Sequence, residues 1–294
     1  MEEAIWDSQW RLVVRKTVLR HSLTREGPNI RKRGEKSTGI VPHSTLFPFS
    51  LRPARYSAES LMSSVDHALG PQFRFFGVSK RFGANLALSN LSLEIERGEW
   101  LYVTGPSGAG KSTFLKLFYL GEKTTSGEIL AFGANMNRLS QKDIPFHRRR
   151  FGIIFQDFKL IANRSVLENV ALVLEARGEA VAMAEKRAKN MLRHAGMEKR
   201  MHAMPQTLSG GEQQRVAVAR AIAGQPEVIL ADEPTGSLDP RSADIIINLL
   251  SAYHQRGATV VVATHDRELM AKKPARVIQL DEGRLVASGA GGAV

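Results

Sequence analysis

The sequence predicts an α/β fold in which a parallel sheet is flanked by helices, on the strength of three observations. From about residue 73 onwards, short apolar runs of strand type alternate with stretches of helical period. The runs at residues 228–231, 259–263 and 277–280 are almost entirely apolar, which is typical of strands buried on both faces. An apolar run at residues 100–104 leads through a glycine-rich loop into a helical period, as in a strand–loop–helix unit.

The other elements follow from local patterns along the chain. Strand-type runs occupy residues 73–78, 87–95, 127–132 and 151–155, and helical periods occupy residues 112–120, 165–176, 179–195 and 210–223. Glu185 is placed to pair with Lys189 one turn further on, and Gly196 is a natural helix stop. We expect the helices of residues 165–205 to form a second lobe, inserted between two strands of the sheet.

Composition excludes several classes of protein. The 294 residues include no cysteine, so a disulfide framework, a thiolate metal site and a cysteine nucleophile are impossible. No apolar run approaches the ~18 residues of a membrane-spanning helix, so we expect another chain to cross the membrane if the protein works there. The first apolar stretch is interrupted by Asp7, Arg11, Arg15 and Lys16, which argues against an ordinary secretory signal.

The net charge of +12 is concentrated in two segments. Residues 1–61 hold 11 basic and 6 acidic residues, and residues 142–205 hold 13 basic and 7 acidic residues. A basic excess suggests nucleic acid, anionic lipid or an acidic partner, and the alternative is a solvated face plus a tail. No helix-turn-helix, RRM or zinc pattern is present, so we do not expect nucleic-acid binding.

The N-terminal segment, residues 1–70, is predicted to be a basic, largely disordered extension before a folded domain of residues 71–294. Residues 21–60 are rich in proline, glycine and serine and show no apolar period. Residues 4–20 carry two tryptophans and four basic residues at helical spacing, typical of an amphipathic surface helix. Two interpretations stay open: translation starts at Met62, or residues 4–20 tether the protein to the inner leaflet.

Residues 105–112 read Gly-Pro-Ser-Gly-Ala-Gly-Lys-Ser and match the phosphate-loop pattern G-x-x-x-x-G-K-[ST] at every fixed position. The glycines let successive N–H groups point at phosphate oxygens, and the helix N-terminus adds its positive end. Lys111 would reach the β- and γ-phosphates of ATP, and the Ser112 hydroxyl would bind Mg²⁺. The predicted ATP-binding residues are Gly105, Pro106, Ser107, Gly108, Ala109, Gly110, Lys111, Ser112 and Thr113.

Two acidic residues, Asp232 and Glu233, follow the apolar run at residues 228–231. Acids at the carboxyl end of a strand lie where α/β sheets bind their ligands. Asp232 is therefore predicted to hold Mg²⁺, and Glu233 to act as the general base towards the attacking water.

Between these motifs, residues 208–215 read Leu-Ser-Gly-Gly-Glu-Gln-Gln-Arg. Ser209 and Glu212 fit a helix capping box, but a cap does not require the two glycines between them. The octet resembles the signature of the ABC-transporter ATPases, and the resemblance extends over about residues 73–285. It implies an ABC-type P-loop fold: a RecA-like parallel core, an antiparallel β-subdomain, and an inserted α-helical subdomain at about residues 157–208.

The resemblance also implies a role for each matched motif. Phe82 would stack on adenine, Gln156 of the Q-loop would sense Mg²⁺ and water, and His265 would be the switch histidine. Ser209, Gly210, Gly211 and Glu212 would face a γ-phosphate held by the opposite subunit. Asp239 matches the D-loop, and it also fits an N-cap before Pro240. The implied catalytic set is Glu233, His265 and Gln156, the implied Mg²⁺ set is Ser112, Gln156 and Asp232, and the implied assembly is a homodimer around two ATP molecules.

Finer similarities indicate a branch of the family. The sequence resembles the cell-division (FtsE) subgroup at residues 145–161, 163–170, 208–215, 231–236 and 263–266. That resemblance implies a peripheral protein on the cytoplasmic face of the inner membrane, with an integral membrane partner resembling FtsX, which regulates a cell-wall hydrolase. Phe158, Lys159 and Leu160 would lie where the partner docks. The alternative is the motor of a lipoprotein-release or macrolide-type exporter, since these ATPases share much of the same sequence. The departures from the subgroup are residues 116–122, where many relatives have a Gly-Ile pair, and the N-terminal extension.

Overall fold

The computed structural model of the protein describes residues 70–236 and 238–289. The predictions made for residues 4–20, residues 21–60 and Met62 lie outside the described residues, and the division at residue 70 stays a prediction.

The described chain contains the predicted alternation of strands and helices. The strands are β1 Phe73–Phe82, β2 Asn85–Ile95, β3 Trp100–Thr104, β4 Ser126–Ala131, β5 Ala134–Asn135, β6 Phe151–Ile154, β7 Val228–Asp232, β8 Thr259–Ala263, β9 Arg276–Asp281 and β10 Arg284–Gly289. The helices are α1 Lys111–Phe118, α2 Ile144–Arg148, α3 Val166–Glu175, α4 Val181–His194, α5 Gly210–Ala223, α6 Pro240–His254 and α7 Arg267–Lys272, with 3-10 turns at Met136–Arg138, Glu198–Arg200 and Pro205–Thr207. Helix α2 and strands β5 and β10 had not been predicted.

The strands form two sheets in the described part of the chain. The larger sheet has the order β10-β9-β3-β8-β7-β6, in which every neighbouring pair is parallel except β10 with β9. The smaller sheet has the order β2-β1-β4-β5 and is antiparallel throughout. The predicted parallel core and antiparallel β-subdomain are therefore both confirmed.

Register places the ends of the central strands side by side. Val103 of β3 is opposite Ala263 of β8, Ala263 is opposite Asp232 of β7, and the preceding residue of β7, Ala231, is opposite Ile154 of β6. All four strands are parallel, so the segments that follow them leave from one edge of the sheet. This edge gathers the sequence motifs that are distant along the chain.

Helix α1 packs between the two sheets. Phe114 and Phe118 are fully buried, and their rings lie 5.3 Å from Phe75 and 4.8 Å from Phe73 on the smaller sheet. The same apolar cluster includes Leu101 of the larger sheet. Aromatic side chains at these distances contribute both buried area and edge-to-face contact. The helix that follows the phosphate loop is therefore held in place by contacts with both sheets.

Helix α2 closes the carboxyl end of α1 through basic side chains. His147 Nε2 lies 2.8 Å from the carbonyl oxygen of Phe118. Arg148 donates from Nε to the carbonyl of Tyr119 at 3.0 Å and from Nη2 to that of Leu120 at 2.8 Å. The last carbonyls of a helix lack partners within the helix, so this short helix stabilises the far end of α1.

The helices of residues 165–205 share an apolar cluster with α5, built around buried residues such as Val170, Ala188 and Val216. Helix α4 ends as expected at Gly196, whose φ is +69°. The amides of Gly196 and Met197 donate to the carbonyls of Arg193 and Leu192, which is the Schellman pattern. The predicted pair of Glu185 with Lys189 is present at 2.6 Å.

Over the described residues, no helix is both long enough and apolar enough to cross a bilayer.

Candidate functional site

The phosphate loop is shaped by glycines that no other residue could replace. Gly105 has a φ of +140°, and a Cβ built there would lie 2.1 Å from the carbonyl oxygen of Leu280. At Gly110, with a φ of +101°, a Cβ would lie 2.6 Å from the carbonyl oxygen of Ala87. The loop therefore fits between β9 and β2 only because both positions lack side chains.

Helix α1 begins immediately after the loop, at Lys111, and Gly110 provides no side-chain cap for its first amides. Uncapped N–H groups at a helix start, together with the helix dipole, form an anion-binding position. Lys111 Nζ donates to the carbonyls of Gly105 at 2.7 Å and Pro106 at 2.9 Å, so the ammonium lies across the same loop. A phosphate-binding geometry results, with one positive side chain at its edge.

Asp232 ends β7 and faces the Ser112 hydroxyl of α1. The pKa of Asp232 is raised, chiefly by burial and further by the charge of Glu233, while the Ser112 hydroxyl and the charge of Lys111 oppose that rise. A hydroxyl and a carboxylate are hard oxygen ligands, the kind that Mg²⁺ prefers. In the described chain, no group of three or more His, Cys, Asp and Glu residues could hold a metal. Ser112 and Asp232 offer a hydroxyl and a carboxylate oxygen of this kind at the phosphate loop.

Glu233 is held in an unusual backbone conformation, with a φ of +46°. Its amide donates to the carbonyl of Ala263 at 2.8 Å. Its carboxylate accepts a hydrogen bond from Thr264 Oγ1 at 3.0 Å and lies 2.7 Å from His265 Nδ1. The side chain of Glu233 is 13% exposed and that of His265 is 75% exposed, so a mostly buried carboxylate is oriented by a solvent-facing imidazole.

Thr264 and Asp266 are site residues that the sequence analysis missed. Thr264 is fully buried, and its hydroxyl also accepts from the amide of Asp266 at 3.0 Å. Asp266 caps α7 and accepts from Thr235 Oγ1 at 2.9 Å. The available signals were the hydroxyl beside His265 and the aspartate before a helical period, which is a common N-cap.

Gln156 and Phe82 are two further residues of the predicted site. Gln156 is exposed two residues beyond the end of β6, on the edge of the sheet where β7 ends at Asp232. Phe82 ends β1 in the smaller sheet and is 39% exposed, with Lys80 Nζ 4.5 Å from its ring centroid. An exposed aromatic face is available for stacking.

The signature residues begin helix α5. The hydroxyl of Ser209 accepts from the amide of Glu212 at 3.3 Å, and the Glu212 carboxylate accepts from the amide of Ser209 at 2.9 Å. The predicted capping box is therefore confirmed. Both Ser209 and Gly210 are exposed.

Helix α5 is tied to two neighbouring segments through its second turn. Gln214 is buried and donates to the carbonyl of Pro234 at 3.2 Å, while Arg215 donates to the hydroxyl of Ser242. Ser242 also donates its amide to Asp239, the predicted cap of α6, at 3.0 Å. None of these partners belongs to the phosphate loop. Within one chain, the hydrogen bonds of the signature therefore lead to the residues around Pro234 and Asp239.

Comparison with known proteins adds an independent finding. Residues 88–236 match the family model described as ABC transporter. The match starts in β2 and ends just after β7, so it includes the phosphate loop, the signature and both acidic residues.

Named relatives are similar over most of the described chain. The cell division ATP-binding protein FtsE of Bacillus subtilis is 45% identical over 200 residues, which are 68% of this chain and 88% of that protein. FtsE of Haemophilus influenzae is 44% identical over 72% of this chain and 98% of its own length. The methionine import ATP-binding protein MetN of Haemophilus influenzae is 41% identical over 71% of this chain, but the alignment spans 61% of MetN.

A solved structure has the same fold. The dimeric post-hydrolysis state of the ATP-binding cassette MJ0796, bound to ADP and Pi, superposes with a TM-score of 0.70 at 36% sequence identity. The match covers 76% of this chain and the whole of that chain.

Proposed function

Because this chain belongs to the ABC transporter family and is an ATPase, we propose that it drives a membrane complex of the FtsEX kind. In this proposal, two copies bind an integral membrane partner resembling FtsX on the cytoplasmic face of the inner membrane. ATP-driven closure of the dimer then regulates cell-wall hydrolysis during division. The observation that carries the proposal is coverage: the chain matches FtsE proteins over 88–98% of their length, but MetN over about three fifths.

The site geometry supports a division of labour in hydrolysis. Lys111 and the first amides of α1 would bind the β- and γ-phosphates. Ser112, Asp232 and Gln156 would hold Mg²⁺, which supplies charge neutralisation on the phosphate oxygens when bound.

Glu233 would accept the proton of the attacking water. Its carboxylate is mostly shielded from solvent and is oriented by the hydroxyl of Thr264 and the imidazole of His265. Orientation of a base by fixed neighbours raises the fraction of bound substrate that is correctly aligned.

The assembly follows from the position of the signature. The hydrogen bonds of Ser209–Glu212 and the next turn avoid the phosphate loop of the same chain, and Ser209 and Gly210 face solvent. We infer that these residues meet the nucleotide of a second copy, with Asp239 beside them. The dimeric state of the similar cassette MJ0796 supports this inference.

The composite site can be tested by mixing two inactive variants. Lys111→Ala damages the phosphate loop, and Ser209→Arg damages the signature of the facing chain. A mixed dimer contains one intact composite site, so we expect ATPase activity to return in the mixture although each variant alone is inactive. If the mixture stays as inactive as its components, or if Ser209→Arg prevents ATP binding by the monomer, the signature does not act across the dimer.

The cellular role can be tested by depletion and complementation. Glu233→Gln removes the proton acceptor while keeping the shape of the side chain, and Glu282→Gln makes the same change at an exposed turn between β9 and β10. We expect depleted cells to be filamentous and division-defective, with rescue by Glu282→Gln and none by Glu233→Gln. Normal cell length combined with lost macrolide resistance or lost lipoprotein sorting would instead support the exporter alternative.

Contact with the membrane partner can be tested at the segment after Gln156. The side chain of Lys159 is 54% exposed, so Lys159→Glu reverses a surface charge. We expect this variant to retain ATPase activity and to lose co-purification with the partner, whereas Lys189→Glu on α4 should keep both. Unchanged co-purification of Lys159→Glu would remove this segment from the interface.

A further inference from the structure

Arg220, in the last turn of α5, binds the backbone of a different segment. Its Nη2 donates to the carbonyl of Phe158 at 2.7 Å, and its Nη1 donates to the carbonyl of Lys159 at 2.5 Å. These two carbonyls lie just after Gln156, on the way from β6 to α3. One guanidinium therefore bridges two consecutive peptide groups of the segment that leaves the Q-loop.

The bridged segment has a conformation that needs such support. Phe158 and Lys159 have φ angles of +61° and +47°, and neither residue is a glycine. Two consecutive residues of this kind are costly for the backbone and persist where surrounding structure holds them. The fork of the Arg220 guanidinium supplies that hold.

The electrostatics of Arg220 are consistent with a positioning role. Burial of the guanidinium lowers the pKa of Arg220 to about 10. The oxygens reached by the two bonds are carbonyls rather than carboxylates. Arg220 is half-buried in the described chain, and a partly desolvated cation that is bound to oriented carbonyl dipoles is sensitive to their placement.

A second contact joins the same segment to the start of α5. A Cβ built on Gly210 would lie 3.9 Å from Cζ of Phe158, so the Phe158 ring lies beside the first residue of α5. The segment that leaves the Q-loop is thus bonded to the last turn of α5 and lies close to its first turn.

We propose that Arg220 is a positioning residue for ATP hydrolysis, which keeps Gln156 and the signature in a fixed relation by fastening the segment of Phe158 and Lys159 to α5. The inference rests on the roles proposed above for Gln156 and Ser209. If the dimer closes on ATP, the movement of the signature helix is transmitted to the Q-loop through these two bonds.

The geometry makes the choice of arginine testable. Arginine offers a planar fork of donors, whereas lysine offers a point charge that cannot span two carbonyls in the same way. Arg220→Lys keeps the charge and loses the fork, and Arg220→Gln loses the charge and keeps one donor group. Arg193→Gln on α4, where the side chain is 55% exposed, is the matched control.

We would measure kcat, KM, thermal unfolding and amide hydrogen exchange for the three variants. We expect a kcat about tenfold lower for Arg220→Gln, with KM changed less than about twofold, because misplacement of Gln156 affects alignment more than binding. Arg220→Lys should fall between Arg220→Gln and the wild type. Exchange should accelerate at residues 158–161 and stay unchanged in the strands of the larger sheet.

The outcomes separate this inference from the proposed site. Wild-type kcat in a folded Arg220→Gln would overturn it, as would accelerated exchange across the whole domain together with lost activity. Gln156→Ala measured in parallel identifies the source of a failure, since a normal kcat in that variant would contradict the role of Gln156 itself. If Arg220→Gln fails to fold, kcat is measured instead for Phe158→Leu, for Arg220→Lys and for the double variant. Independent effects of the two substitutions on kcat would overturn the proposal.

Discussion

At the residue scale, the carboxylate of Glu233 depends on the residue that follows the neighbouring strand. Thr264 donates to Glu233 and accepts from the amide of Asp266, all within a buried setting. The hydroxyl therefore links the proposed general base to the cap of α7.

Thr264→Val should separate these effects, because valine keeps the shape and removes both hydrogen bonds. We expect kcat to fall by about tenfold or more while KM changes little. Stability should drop by about 1–3 kcal/mol, since the amide of Asp266 loses its partner. Steady-state kinetics and urea unfolding measure the two quantities. Thr264→Ser is the control, and equal kcat values for the valine and serine variants would show that the hydroxyl is irrelevant to hydrolysis.

His147 gives a prediction about pH. Burial lowers its pKa most strongly, the bond to the Phe118 carbonyl opposes that shift, and the charges of Arg150 and Arg148 add to it. The unfolded chain has a histidine pKa of about 6.5, so on acidification it binds the proton before the folded chain does. Stability is therefore complete above this pH and declines as the pH falls below it.

Urea unfolding between pH 7.5 and 5.5 would test this sign. We expect the free energy of unfolding of the wild type to fall across this range, and the fall to be smaller in His147→Gln. Burial also lowers the pKa of His254, so His254→Gln reports how much of the pH dependence of the free energy of unfolding comes from that residue. A wild-type stability that rises on acidification would contradict the assignment.

Local structure is easiest to predict from the sequence where a motif carries its own geometry. The fixed positions of the phosphate loop and the Ser209–Glu212 capping box are readable from spacing, because the bonding partners are a few residues apart. Arg220 and Thr264 were missed because their partners, Lys159 and Glu233, are distant in sequence. An arginine in a helical period looks like a surface residue. Nothing near Arg220 in the sequence indicates that it will donate to two carbonyls of another segment.

At the element scale, two helices start with the same device. Ser165 and Glu168 form a capping box at α3, and Ser209 and Glu212 form one at α5. The bond from Ser165 lowers the pKa of Glu168, and the bond from Ser209 lowers the pKa of Glu212. The two boxes thus provide an internal comparison.

Ser165→Ala and Ser209→Ala should each cost about 1 kcal/mol of stability, the usual effect of losing such a cap. We expect Ser165→Ala to keep its ATPase activity and Ser209→Ala to lose most of it, because the second hydroxyl is also proposed to face the nucleotide of the other chain. Thermal unfolding and ATPase rates measure the pair. Equal activity in both variants would reduce Ser209 to a cap.

Prediction of elements was best for long periodic runs and poorest for short ones. Helix α2 is five residues long, and its basic side chains mask any apolar period. Strand β10 alternates between exposed and half-buried residues, and among the described strands it pairs only with β9 at the edge of the larger sheet, so it carries no continuous apolar run. The division into two sheets followed from the family resemblance, since alternation alone does not reveal which strands pair.

At the scale of the whole molecule, every residue proposed for the site lies between residues 82 and 266. The buried residues of the apolar core range along the chain from Phe73 to Leu280.

A protein that starts at Met62 should therefore fold, bind ATP and dimerise as the full chain does. Circular dichroism, nucleotide affinity and size-exclusion chromatography would check this expectation, and loss of any of the three would assign residues 1–61 to the fold. Flotation with anionic vesicles compares membrane association of the two lengths. Equal flotation would contradict a tether in residues 4–20, and upstream peptides in the native protein would contradict a start at Met62.

Three side chains of α5 donate hydrogen bonds to other segments: Gln214 to the residue after Glu233, Arg215 to the start of α6, and Arg220 to the exit of the Q-loop. A change on this face alters all three segments at once, so a tolerated change would require several compensating ones. Over evolutionary time, the inward face of α5 should therefore drift more slowly than the outward face of α4, whose ion pairs are local. Among relatives, the residues of α5 that bind these loops should therefore vary less than other residues that are equally buried.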